Sequence, residues 1–546
     1  MLNLSILSTV PKEALNWRFF LAIIAIGILG AARGLDEGII SSQTSQKAFI
    51  NSYGVRPGSD MQSNITSMVQ IASVAGSILA WWTSDKLGRI RSAQIHCLLW
   101  IIGTTVWITS KGNVGQLLAG RFIVGLGVGG TVVCAPTYLA EVAPKSLRGA
   151  VVGVFSGTVY VGILLGYCAN LGVTRNIDPE SYARVQIPTS LNLIFAAIPL
   201  FMSPLIRESP RWLLKSGQEE QAIKNMCWLR QLREEHPYVR QELDGMREAL
   251  RVEKEAKGPT WRWYHAWKDM FTSRENLYIL MLVCGAQVFG QFSGGGSITI
   301  YAPTLFQIVS GSSTNSSIFT TAIFGVIKLV ASLLAGLFIL DMFGRKRAAL
   351  FGITLQIIAG MYIAVYLHIY PPPATGTKII ASAGEKRASE AAIAMIFVSG
   401  IGWACGFNSI QYLLASELYP TTVRSLGTML AMATHFLMQY GSSRSVNPML
   451  ETFKPSGTFF FWAAEAALCL FLVWFFLPES AGRSLEDMQE LFNKPWYRIG
   501  WTSNAPHCGR ALDEFEPSEF EYNSTPQARI QRENAAEKDE KDLNVV

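Results

Sequence analysis

Long apolar runs alternate with short polar segments along the chain. Phe19–Ala32, Leu98–Ile108, Leu280–Val288 and Trp462–Leu477 are nearly unbroken. A helix that crosses a bilayer needs about 20 mostly apolar residues. That rule predicts twelve spans, near 19–41, 61–83, 92–109, 115–138, 149–172, 188–206, 276–301, 317–340, 348–367, 391–416, 425–447 and 456–477. A polar stretch, 207–275, separates six from six. Its segments Glu219–Arg233 and Tyr238–Glu253 mix charges as exposed helices do. Beyond Pro478 the chain is polar again, and its charged end, Ala535–Asp542, reads as disordered. The pattern predicts an all-α membrane protein of two six-helix bundles, 1–206 and 276–477, joined by a helical linker (207–275) and followed by a tail (478–546).

Composition supports this reading. Half of the residues are apolar and 16% are charged, where about 25% is usual for soluble domains. Lys and Arg number 46 against 40 Asp and Glu, a net +6. No basic stripe with interleaved aromatics occurs, so no nucleic-acid partner is expected. The loops 84–91, 139–148, 341–347 and 417–424 hold nine Lys/Arg in 33 residues. The opposite loops spread nine over about 85 residues, so charge density rather than count puts the first set, the linker and both termini in the cytoplasm. Lys12 and Arg18 precede the first span without a small-residue cleavage site, which reads as a retained helix. The eight cysteines show no CxxC spacing, so neither metal nor disulfide is expected, nor any cofactor.

The two halves carry matching words. Asp85-Lys86-Leu87-Gly88-Arg89 recurs as Asp341-Met342-Phe343-Gly344-Arg345. Glu141-x-x-Pro144-x-x-x-Arg148 recurs as Glu417-x-x-Pro420-x-x-x-Arg424. Arg207-Glu208-Ser209-Pro210-Arg211 ends the sixth span, and Pro478-Glu479-Ser480-Ala481-Gly482-Arg483 ends the twelfth. Two copies of a six-helix unit imply a parallel repeat with a site between the halves near mid-membrane. The repeated acids and arginines can bridge helices and hold a cytoplasmic gate closed.

These words, with Gly120-Arg121, Gly125, Gly127, Gly129 and Pro136-x-Tyr138-x-x-Glu141, make residues 17–493 resemble the sugar porters of the major facilitator superfamily, most of all the fungal hexose/proton symporters. The resemblance implies the major facilitator fold and transport by alternating access. Gly125-x-Gly127-x-x-Gly130 matches a dinucleotide fingerprint by letter, but no strand precedes it; small residues that let helices approach are the reading preferred.

A charge in the bilayer interior costs about 2.5–3.5 kcal/mol on insertion scales, so each needs a reason. Asp36 lies in the first span and Arg121 opens the fourth. The resemblance implies that they pair and that protonation of the acid is coupled to transport. Arg33 stands three residues before Asp36 and four before Glu37, on one helical face. A local Arg33–Glu37 pair that leaves Asp36 to Arg121 is preferred, with the swapped pairing open. Lys328, Arg444 and Glu465 have no assigned partner; Lys328 has a minor case for touching substrate, and the other two read as packing or interface charges.

Sugar recognition needs groups that both donate and accept, with an aromatic face beside them. The seventh span reads Gln287 to Gly296, then Tyr301, and its glycines suit a broken helix lining a cavity. Against the family pattern, Gln287 and Gln291 match, while Gly290 and Gly296 replace a glutamine and an asparagine. Ser156 replaces a glutamine, with Tyr160 one turn on. Asn408, Gln411 and Tyr412 stand in the tenth span, and His435 and Gln439 in the eleventh. Trp81 and Ile90 also depart from the first loop word. The framework is kept and the pocket rewritten, with helix-to-helix hydrogen bonding as the alternative role for each pocket residue.

The expectation is a non-enzymatic transporter, in the plasma membrane by family default, that imports a monosaccharide (a hexose such as fructose or glucose, or a pentose) with a proton. A polyol is also plausible. The alternatives are an uncoupled facilitator and a non-transporting sugar sensor. Small-molecule sugar, protons and the lipid bilayer are the expected partners, with no obligate protein partner.

Overall fold

A computed structural model describes residues 11–144, 147–257, 263–311, 313–336, 344–372, 382–408, 411, 418–419 and 423–479. Among these residues the chain forms helices and no strand. The first half holds α1 (Trp17–Gln43), a short α2 (Lys47–Tyr53), α3 (Asp60–Leu87), α4 (Arg89–Ile108), α5 (Val114–Val142), α6 (Arg148–Asn176) and α7 (Ala183–Met202). The linker holds α8 (Pro210–Lys215), α9 (Glu219–Arg230), α10 (Pro237–Lys257) and α11 (Trp263–Thr272). The second half holds α12 (Arg274–Phe292), α13 (Gly295–Ile300), α14 (Ala302–Ser310), α15 (Thr314–Leu334), α16 (Arg345–Ile369), α17 (Ala383–Cys405), α18 (Arg424–Thr452) and α19 (Lys454–Phe476).

Among the described residues nine helices are long and apolar enough to cross a membrane. The other three expected spans fall on α4, α12 and α18. These carry arginines, amides or histidines that dilute their hydropathy, as helices lining a polar interior must. Side-chain caps start several spans: Asn16 accepts from the Arg18 and Phe19 N–H groups, and Ser59, Asn113, Ser313 and Ser382 cap α3, α5, α15 and α17. The tenth span begins at Ala383 rather than 391, because Ser382 nucleates a polar first turn before the apolar run.

Burial is inverted relative to a water-soluble protein. Ser63, Ser67, Ser73, Asn170 and Asn192 are fully buried, whereas Phe20, Ile194, Phe201, Met281, Phe351, Phe471 and Trp474 are more than half exposed. An apolar outer surface of that extent needs lipid against it. Small residues let the inner helices meet. A Cβ on Gly34 of α1 would collide with the Val159 backbone of α6. Gly125 and Gly129 of α5 press on α3, and Gly127 and Gly130 press on α4, so the fingerprint-like glycines pack helices.

The linker is docked beneath the first half. Asn16 donates to the Leu229 carbonyl at 2.9 Å and Arg18 to that of Trp228 at 3.2 Å. Arg230, 1% exposed, donates to the Val142 carbonyl at 3.0 Å and pairs with Glu242 at 2.8 Å. The helices α9 and α10 fall on the two segments expected from charge patterning, and α8 and α11 are additional. The seventh span breaks at Ser293-Gly294, where Gly294 takes φ +86°, a left-handed conformation that glycine adopts without a Cβ penalty. This confirms the expected broken helix.

Candidate functional site

Two ion pairs sit at mid-bundle, in the preferred arrangement. Arg33 and Glu37 approach to 3.4 Å, and Arg121 Nη1 and Asp36 Oδ1 to 3.7 Å. The second pair is the looser. Arg121 Nε donates to the Ile65 carbonyl at 2.7 Å and Nη2 to that of Thr66 at 3.3 Å, so α3 backbone carries the guanidinium. The Trp107 ring lies 4.8 Å from it. Nη1, the nitrogen facing Asp36, makes no hydrogen bond. Asp36 receives one from Asn192 at 3.4 Å. The contact is an attraction without a tight bond.

The first ion pair reaches into the other half. Gln439 donates to Glu37 at 3.3 Å, and Arg33 meets His435 Nε2 at 3.3 Å while lying 5.3 Å from the Phe436 ring. A guanidinium only donates, so Nε2 accepts and the ring proton sits on Nδ1. Nδ1 then donates to Gln287 Oε1 at 3.1 Å. Gln291 Nε2 lies 3.1 Å from the same nitrogen and 3.4 Å from Gln411 Oε1. Gln411 in turn donates to Asn408 Oδ1 at 3.4 Å. Gln287, Gln291, Asn408, Gln411, His435 and Gln439 therefore form one network with Arg33 and Glu37, in which amides hydrogen-bond one another across the helices.

Other expected residues lie apart from this network. Tyr301 donates to the Ser443 carbonyl at 3.1 Å, a helix-pairing bond. Ser156 is buried on α6, one helical turn before Tyr160. Tyr412 falls outside the described residues. Lys328, 1% exposed, donates to Thr299 Oγ1 and stands 5.2 Å from the Tyr160 ring and 5.3 Å from the Phe324 ring. Tyr167 donates to the Thr299 carbonyl at 2.7 Å, so this corner also joins the halves. Sequence reasoning missed Asn192, Tyr167 and Thr299. A lone buried amide in an apolar span was the available signal for Asn192; nothing marked Thr299. Of the other unassigned charges, Arg444 pairs with Asp60 at 2.9 Å across the halves, beside an Asn447–Ser63 bond of the same length.

The repeated words cluster at one end of the bundle. Arg89 bridges Asp85 at 3.1 Å and Glu141 at 2.9 Å, tying α3, α4 and α5. Glu208 accepts from the Arg89 and Ile90 N–H groups at 3.0 and 3.1 Å, capping α4. Glu479 accepts from the Arg345 and Lys346 N–H groups at 2.8 and 3.1 Å, capping α16. Gly88 and Gly344 precede these caps at φ +101° and +86°, and a Cβ on either would strike the capping carboxylate. Burial pushes the Glu208 carboxyl up from its ordinary value, against the backbone N–H groups that pull it down. Arg148 and Arg424 donate to the Ala140 and Tyr419 carbonyls at 3.0 and 3.1 Å, and Arg211 adds positive charge near Glu141. Asp341, Glu417 and Arg483 lie outside the described residues.

Comparison with known proteins follows the same outline. A family described as "Sugar (and other) transporter" matches residues 21–492. A quinate permease of Neurospora africana is 30% identical over 495 residues, covering 88% of this chain and 90% of that protein. A probable quinate permease of Neosartorya fischeri is 29% identical over 498 residues, covering 89% and 90%. The proton:xylose symporter XylE bound to 6-bromo-6-deoxy-D-glucose superposes with a TM-score of 0.71 at 22% identity, over 87% of this chain and 99% of that one. A partially occluded inward-open form of XylE from E. coli gives 0.68 at 21%, over 86% and 100%. With repeated words that cap equivalent helices and a polar centre between two bundles, the chain belongs to the sugar porter family of the major facilitator superfamily.

Proposed function

We propose that this multi-pass membrane transporter moves a small polyhydroxylated solute together with a proton, by rocking its two halves about the mid-bundle network. The observation that carries this is the joint placement of a loose Asp36–Arg121 pair and a field of amides that spans both halves. The amides can exchange their mutual bonds for a solute's hydroxyls at little net cost, since hydrogen bonds are traded rather than lost. Asp36 is the proton carrier, and Arg121 is the cation it faces when the proton is absent. A monosaccharide fits this chemistry. So does quinate, a hydroxylated ring with one carboxylate, which gives the fungal relatives their names. The face that carries the repeated words is cytoplasmic, both termini with it, and the membrane is the plasma membrane.

Purified protein in proteoliposomes tests the reading. Solute added outside should be accumulated and should alkalinise the outer medium. Accumulation without alkalinisation sinks the coupling and leaves a facilitator. Specific binding of a solute without any uptake turns the protein into a sensor.

A further inference from the structure

Charge does not balance in the centre of this bundle. Arg121 faces Asp36 and Arg33 faces Glu37, so two cations meet two acids. Lys328 is left over. It is 1% exposed, and among the described residues no carboxylate lies within 4 Å of it. Glu37 is already bonded by Arg33 and Gln439. Asp341, 13 positions further along the chain, lies outside the described residues. Lys328 uses one N–H on Thr299 and leaves two donors facing aromatic walls. A buried ammonium is costly to keep, so such a lysine either gives up its proton or meets an anion.

The corner it occupies is continuous with the amide network. Thr299 stands one helical turn after Gly296, and the Gln291 side-chain oxygen lies 3.2 Å from where a Gly296 Cβ would be. Tyr160 and Tyr167 come from the first half, Lys328 and Thr299 from the second. An anion bound here therefore touches both halves, as the cargo of a rocking transporter must.

We propose that Lys328 is the anchor for a carboxylate on the transported solute, so that the cargo is a polyhydroxylated monocarboxylate rather than a neutral sugar. The carboxylate takes the two spare N–H donors of Lys328 beside Thr299 and Tyr160, and the hydroxyls meet Gln287, Gln291 and Gln411. This rests on the proposed transport of a polyhydroxylated solute and names its chemical class.

The test uses full-length protein in proteoliposomes with two probes that differ in charge alone, quinate and its neutral primary amide, and with glucose and xylose alongside. Wild type should bind quinate at least tenfold tighter than the amide. Lys328→Gln should weaken quinate by about 10- to 100-fold, the worth of a charge-assisted bond, and weaken the amide by clearly less. Lys328→Arg should restore most of the affinity. If the Gln variant does not fold, the wild-type comparison of the two probes decides alone. Equal affinity for quinate and its amide, or equal loss of both in Lys328→Gln, overturns the carboxylate anchor. If glucose or xylose is then transported, the broader transport reading stands; if no probe is bound or moved, both fall.

Discussion

At one end of the bundle, Glu208 and Glu479 perform the same task. Each accepts two backbone N–H bonds at the start of a helix, just after a glycine with positive φ. At mid-bundle the halves share nothing of the kind. The first contributes Arg33, Asp36, Glu37 and Arg121, all charged; the second contributes amides, His435 and Lys328. The repeat is thus present at the end where each half is locked and absent at mid-bundle, the proposed cargo site. Two bodies can rock as units only if their own helices are locked. On the proposed reading, proton and solute need different chemistry, so the centre has no reason to be symmetric.

The largest effect should come from the asymmetric centre. Asp36→Asn removes the titrating group and is expected to abolish concentrative uptake while sparing solute exchange; unimpaired accumulation would show that the proton is carried elsewhere. Next come the two glycines. Gly88→Ala and Gly344→Ala each force a Cβ into a left-handed backbone and into a capping carboxylate, for a cost of about 1–3 kcal/mol before the clash is counted. Thermal unfolding of the purified protein should show similar losses for both, and a loss at one site alone would break the symmetry. Glu208→Gln and Glu479→Gln keep an acceptor but lose the charge that meets the helix dipole, so each should cost roughly 1 kcal/mol. The smallest change is expected at the rim. Asp60 is 78% exposed, so Asp60→Asn, which removes its pair with Arg444, should cost no more than about 1 kcal/mol and leave initial uptake rates within severalfold of wild type.

Much of this was legible in the chain. The span pattern gave twelve helices, because lipid imposes length and hydropathy on each one separately. The Arg33–Glu37 pair was preferred on its i,i+4 spacing with the swap left open, and the Asp36–Arg121 pair was what the family resemblance implied; the structure has both. The Ser293-Gly294 break announced itself through its glycines. Partners that depend on how two bundles face each other were not legible. Nothing in the eleventh span says that His435 meets Arg33, 402 positions away, or that Gln439 reaches Glu37. Tyr301 looked like a pocket aromatic and instead pairs helices through Ser443. Asn192 could be noticed only as a lone amide among apolar neighbours, and without a spacing pattern its partner Asp36 could not be assigned.

Lys328, with no carboxylate within 4 Å among the described residues, bears on the energetics of uptake if it anchors the cargo. A monocarboxylate that enters with one proton carries no net charge across the membrane. The membrane voltage, worth about 2.3 kcal/mol per charge per 100 mV to an electrogenic symporter, then contributes nothing. Accumulation would follow the pH difference alone, about tenfold for each unit, and would collapse in neutral surroundings where a sugar symporter could still draw on voltage. One uncompensated ammonium would in this way tie the transporter to acidic habitats.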